Sequence, residues 1–229
     1  VAQPDLSTEQ RRGIMSDAFG IGIATGAYAI SFGAVSVASG LDVWQTQVLS
    51  LVMFTGASQF ALIGVLGAGG GIITAVLTAW LLGARNSVYA VSMAPRLRVR
   101  GLRRLVAAEL TIDESTAMAL AHDDPPAASR YAFWATGLSV YVLWNLGTLA
   151  GSLGAAAIGD PATYGLDAAI PAAFLALLWP RLVDRQMRLV AVVAAVAALL
   201  LTPVLRPGLP VLLGACVALS AALLLERRR

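Results

Sequence analysis

Charge is scarce in this sequence. Of 229 residues only 13% are charged, against 58% hydrophobic, and the mean hydropathy is +0.77. A soluble domain carries about 25% charged residues, so this chain lacks the polar surface to coat a globule in water. Lysine is missing altogether, and all 16 basic residues are arginine. The lone cysteine, Cys216, sits in an apolar run and has no intrachain partner for a disulfide or a thiolate zinc site. The lone histidine, His122, excludes a histidine-based metal cluster. Aromatics are few at 7%. No GxSxG, HExxH, P-loop or CxxC pattern occurs, so no cofactor, metal or enzymatic activity is expected. The Arg clusters belong to no polar domain, which argues against nucleic acid as a partner.

What the chain does have is long apolar runs rich in small residues, with Gly at 22 positions. A helix needs about 20 apolar residues to cross the hydrocarbon core. Small residues let helices approach closely where lipid gives no hydrophobic drive to association. The expected fold is an all-α integral membrane protein, a polytopic helical bundle of about seven to eight transmembrane segments in the lipid bilayer. The runs fall near 18–38, 47–66, 72–94, 105–121, 131–158, 164–180, 189–205 and 210–225. Residues 1–16 read as a polar N-terminal tail with no apolar signal core, 17–226 as one transmembrane domain, and 227–229 as a basic end.

Orientation meets a conflict. The positive-inside rule puts the Arg96–Arg104 loop, the Arg181–Arg188 loop and the C-terminus in the cytoplasm. If every run spans, those two loops fall on opposite sides. One segment must then enter and leave on the same side. The suspects are the third run, interrupted by Gly83-Ala84-Arg85-Asn86, and the acidic fourth, so a broken or re-entrant third segment is expected. A weak internal repeat is also visible: Gly40-Leu41-Asp42 recurs as Gly165-Leu166-Asp167, each before an apolar run.

Polar groups inside the apolar runs are the candidate functional residues, since each is costly in lipid. Arg85 either snorkels from a helix end or lines a cavity and meets a carboxylate, from substrate or from Asp113 or Glu114. Asn86 adjoins it. Asp113 and Glu114, with Glu109, are embedded acids for proton or ion coupling or solvated interface residues. Ser58, Gln59 and Asn145 are hydrogen-bonding groups that line a pocket or glue helices together. Asp167 caps a helix before Pro171 or takes part in coupling, and Tyr28 faces a pocket or a packing stripe.

Four stretches resemble the AzlC family of bacterial branched-chain amino acid exporters. They are Leu49 to Phe60 around Gly56-Ala57-Ser58-Gln59, Leu82 to Pro95 around Arg85-Asn86, Asp113-Glu114-Ser115-Thr116-Ala117, and Gly165 to Phe174. The family commonly has Arg-His at the second stretch; here Asn86 replaces the His. The resemblance implies a multi-pass bacterial inner-membrane protein that exports leucine, isoleucine and valine, and methionine as well, by ion-gradient-driven alternating access. It also implies a small AzlD-type membrane protein as partner. The substrate site would lie near Tyr28, Ser58, Gln59, Arg85, Asn86 and Asn145, with Asp113, Glu114 and Asp167 in coupling. The competing readings are a transporter or channel for another small solute, and a non-transport membrane scaffold.

Overall fold

The computed structural model describes residues 6–158, 175, 178–179 and 182–226. Among these the chain is all-helical, with nine helices and no strand: α1 (Thr8–Ala38), α2 (Val43–Val52), α3 (Ala57–Gly67), α4 (Ile72–Leu97), α5 (Leu102–Glu109), α6 (Asp113–Ala121), α7 (Pro126–Ile158), α8 (Arg185–Leu201) and α9 (Leu209–Glu226). Asp167, Pro171 and the second copy of the Gly-Leu-Asp echo lie outside the described residues.

Two described helices, Thr8–Ala38 and Pro126–Ala157, are long and apolar enough to cross a membrane. α1 starts inside the expected polar tail because Ser7 and Gln10 form a reciprocal capping box (3.1 and 3.0 Å). α1 and α7 run in parallel and form the spine of the bundle. Their contact is built on glycine: a Cβ at Gly26 would lie 2.9 Å from the Leu143 carbonyl oxygen, and one at Gly147 or Gly151 would fall onto the carbonyl of Gly26 or Ile30. Only backbone without side chains packs this closely.

The core is mostly apolar but holds buried hydroxyl groups. Ser36 and Thr46 share a hydrogen bond of 2.8 Å, and Ser50 donates to Thr148 at 3.2 Å, all four buried. Meanwhile Trp44, Ile73, Trp80, Val91 and Leu199 face outward. An exterior this rich in large apolar side chains, over a core that pairs hydroxyls, suits a lipid surround.

The interruption expected in the third run is not there. α4 continues unbroken through Gly83-Ala84-Arg85-Asn86. Gly83 serves close packing, since a Cβ there would lie 3.2 Å from Ser58 Oγ. The break falls in the second run instead, at Met53 to Gly56, where Gly56 adopts φ 56°, ψ −89°, a conformation open to glycine alone. The chain reverses at this break. α2 runs back along α1, with Thr46 on Ser36. α3 then returns in the direction of α1, with Phe60 5.2 Å from Tyr28 and 5.4 Å from Phe32, and Gly67 against Ser39.

The acidic fourth run also divides, at Leu110 to Ile112, into α5 and α6. α5 leaves the C-terminal end of α4 and descends to Glu109. α6 climbs back along α4, as Arg85–Asp113 (2.9 Å) and Arg96–Asp123 (3.0 Å) mark out. The fold thus carries two hairpins that enter from opposite ends of the bundle and meet in its middle, where the Phe54 N–H donates to Glu109 Oε1 at 3.2 Å. At one end lie the start of α1, the end of α6 and the start of α7, tied by the Leu6, Ile14, Ala18, Met118 and Ala128 cluster, with the end of α4 joined to them through Arg96–Asp123. At the other, the α8–α9 connection reaches α4, with Gly208 against Thr74 and Val65.

Candidate functional site

A cavity of about 470 Å³ opens where the two hairpin tips meet. One wall comes from the break before α3 (Phe54, Thr55, Gly56, Ala57), another from the start of α6 (Ile112, Asp113, Glu114). α1 supplies Ala24, Thr25 and Tyr28, α4 supplies Leu82, Arg85 and Asn86, and α7 supplies Val140 and Trp144. Leu178 closes the apolar side.

Both half-helices are started in the same way. The Gly56 N–H donates to Gln59 Oε1 at 3.2 Å, and the Ile112 N–H donates to Ser115 Oγ at 3.1 Å. In each case the third helical residue reaches back to hold the amide before the helix. The amides of the first turn are then left to point past the tip, each carrying the positive end of a helix dipole. Two such ends converge on one cavity.

Arg85 stands across from them. Its Nη1 donates to Asp113 Oδ2 at 2.9 Å, with the two side chains 37% and 30% exposed, so the pair is reachable from the cavity. Glu114 lines the same cavity beside Asp113. With one Arg against two carboxylates, the charged rim is acid-rich.

Several polar atoms around the cavity are buried and have no hydrogen-bond partner among the described residues: Tyr28 Oη, Thr55 Oγ1, Asn86 Oδ1 and Trp144 Nε1. Buried polar groups are normally satisfied by protein or water, so these orphans around one cavity can hydrogen-bond to whatever polar group occupies it. The lining also includes the aliphatic side chains of Ala24, Leu82, Val140 and Leu178.

Of the residues singled out from sequence, Tyr28, Arg85, Asn86, Asp113 and Glu114 line this cavity together. Ser58 and Gln59 do not. Ser58 is buried against Gly83, and Gln59 braces the α2–α3 break, donating from Nε2 to the Leu49 carbonyl at 3.4 Å. Asn145 likewise holds helices together: its Oδ1 accepts from Gln47 Nε2 at 3.3 Å and its Nδ2 donates to the Tyr141 carbonyl at 2.8 Å. Asp167 falls outside the described residues. Sequence reasoning passed over Thr55 and Trp144. The signal for Trp144 was weak, since an indole in an apolar run reads as packing until its N–H is found without a partner. Among the described residues no group of three or more His, Cys, Asp and Glu forms a metal site.

Relatives carry the same membrane character. A protein of Helicobacter pylori (strain ATCC 700392 / 26695), named "Uncharacterized membrane protein", is 28% identical over 176 residues, 75% of this chain and 77% of that protein. A protein of the same name from H. pylori strain J99 / ATCC 700824 is 28% identical over 125 residues, 54% of this chain and 55% of its own. No solved structure matches. The family model described as "AzlC protein" matches residues 20–158, which include both hairpins, α4 and the cavity wall of α7. This chain belongs to the AzlC family.

Proposed function

We propose that this protein is the large subunit of an exporter of branched-chain amino acids, leucine, isoleucine and valine with methionine. It works by ion-gradient-driven alternating access together with a small AzlD-type membrane partner. The observation that carries this reading is the cavity between the two opposed hairpins. A solute held there touches breaks that face opposite ends of the bundle, the arrangement an alternating-access carrier needs. The aliphatic wall suits a branched side chain, and the charged rim suits a zwitterionic end. Asp113 and Glu114 are the candidate coupling acids, because they share the rim with Arg85.

The protein resides in the bacterial inner membrane as a multi-pass protein. Two hairpins that turn back account for the topological conflict in the sequence. With α2–α3 and α5–α6 re-entrant, the spans of the described part are α1, α4, α7, α8 and α9, fewer than the apolar runs suggest. Arg11, Arg12, Arg96, Arg98, Arg100, Arg103, Arg104 and Arg130 then fall at one end and Arg206 at the other. α8 begins about 25 Å of helix away from the Arg206 end, which brings Arg185 and Arg188 toward the basic end. The positive-inside rule makes that end cytoplasmic.

The test is export from cells loaded with leucine, valine, isoleucine and methionine, expressing the chain with and without its small membrane partner. Faster efflux of the branched-chain set with both subunits is expected. Efflux equal to that of cells lacking the chain would overturn the proposal.

A further inference from the structure

The two half-helix ends at the cavity are not equivalent, and the difference orients whatever binds. α6 opens on Asp113 and Glu114, so its positive end is already faced by two carboxylates. The first turn of α3, Ala57-Ser58-Gln59-Phe60, holds no acid, and the Glu109 carboxylate at the preceding break is engaged with the Phe54 N–H. Arg85, the obvious cation for a substrate carboxylate, is held by Asp113 through Nη1, while its buried Nε has no partner among the described residues.

Beside the start of α3 stand two donors without acceptors. Trp144 is 4% exposed and lines the cavity; its ring lies 3.7 Å from where a Gly56 Cβ would be, and its Nε1 has no partner. An indole N–H can only donate, so what it awaits is an acceptor and not an ammonium group. The Tyr28 ring lies 6.0 Å from that of Trp144 and its hydroxyl is also without a partner. The start of α3 thus has an unpartnered indole N–H and phenol hydroxyl beside it, and the start of α6 has two carboxylates, one of them held by Arg85.

We propose that an α-amino acid binds in one orientation: its carboxylate at the start of α3, on the backbone N–H of Ala57 and the side chains of Tyr28 and Trp144, and its ammonium at Asp113 and Glu114. Arg85 then holds Asp113 in place and does not receive the carboxylate. The aliphatic side chain lies along Leu82, Ile112, Val140 and Leu178. This assignment rests on the amino acid exporter reading and adds to it the two ends of the substrate. It requires that a ligand carry both a free carboxylate and a free ammonium.

The test is calorimetric binding to the purified protein in detergent, together with its small subunit where that is needed for a stable preparation. The ligands are leucine, leucinamide, which lacks the carboxylate, and 4-methylpentanoate, which lacks the ammonium. Both analogues are expected to bind about tenfold more weakly than leucine or worse, since each loses charge-assisted hydrogen bonds. Tyr28→Phe and Trp144→Phe should each weaken leucine by about five- to tenfold and weaken leucinamide, whose uncharged carbonyl is the poorer acceptor, by clearly less. Leucinamide binding as tightly as leucine would overturn the orientation while leaving the transport reading standing. So would variants that weaken both ligands equally while melting at the wild-type temperature. A wild-type protein that binds no α-amino acid would overturn both.

Discussion

The backbone N–H of Phe54 and the carboxylate of Glu109 meet at 3.2 Å, and they belong to chain reversals that come from opposite ends of the bundle. Phe54 is in the α2–α3 break and Glu109 ends α5. The α5–α6 break satisfies its own amides, with Leu110, Thr111 and Ile112 donating to Val106, Ala108 and Leu110, and the Glu109 carboxylate is left to accept from the α2–α3 break. A charge-assisted bond of this kind contributes about 1.5–3 kcal/mol where water is excluded.

Glu109→Ala should therefore lower the melting temperature of the detergent-solubilised protein by several degrees, whereas Glu109→Gln, which keeps an acceptor oxygen, should lose less than half as much. Thermal denaturation followed by tryptophan fluorescence measures both. Equal losses in the two variants would show that the Phe54 bond does not join the hairpins.

Arg85→Ala should abolish export while the protein still reaches the membrane, because Asp113 would lose the guanidinium that holds it at 2.9 Å. Exchanging the pair as Arg85→Asp with Asp113→Arg should restore measurable efflux if the ion pair itself matters. Asp113→Asn should shift the pH dependence of export. Leucine efflux at the wild-type rate from Arg85→Ala rejects the role, and an unaltered pH profile for Asp113→Asn rejects Asp113 as a coupling acid.

The glycines of the α1–α7 spine sort into two groups with opposite expectations. Gly147→Ala and Gly151→Ala drive a methyl group into the backbone of α1, and each should cost about 1–3 kcal/mol or more by forcing the helices apart. Gly20→Ala and Gly154→Ala meet nothing within 4 Å, and each should be neutral or stabilise by up to about 1 kcal/mol through helix propensity. Expression level and melting temperature of the four variants provide the comparison, and a uniform response would show that close helix contact is not what selects glycine.

Labelling tests the arrangement of the ends. With the lone cysteine removed as Cys216→Ser, a cysteine placed at Pro207 should react with a membrane-impermeant maleimide added to whole cells. One placed at Arg100 should react only after the cells are opened. Labelling of both from outside, or of Arg100→Cys alone, contradicts the proposed orientation.

How far the sequence disclosed this fold depends on the residue. Composition and run length were enough for an all-helical protein, and the capping boxes at Ser7 and Asp42 mark helix starts that can be read from the residues alone. The breaks were harder. Gly83-Ala84-Arg85-Asn86 looks like an interruption because it contains a glycine and a charge, yet Arg85 reaches Asp113 and the helix continues. Met53-Phe54-Thr55 looks like ordinary helix, and the break is disclosed only by the positive φ of Gly56. The cavity was partly visible: Arg85, Asn86, Asp113, Glu114 and Tyr28 are costly or amphipathic groups in apolar runs, and they converge. Ser58 and Gln59 belong to the family-like stretch for another reason, since Gln59 starts α3 and Ser58 packs on α4. What no pattern in one sequence reports is direction of travel, and without knowing that α3 reverses there is no way to see that two distant stretches supply facing helix ends.

The hairpins also thin the wall between the central cavity and the water on either side. α3 has 11 residues and α6 has 9, so the insulating layer is about 16 Å along one and about 14 Å along the other, close to half the roughly 30 Å of hydrocarbon that a full span must cover. Each layer is a separate short rod anchored at one rim only. Under the proposed alternating access, displacing either rod would admit one bath and leave the opposite seal intact, giving two independent doors of half-membrane depth in a frame of long helices.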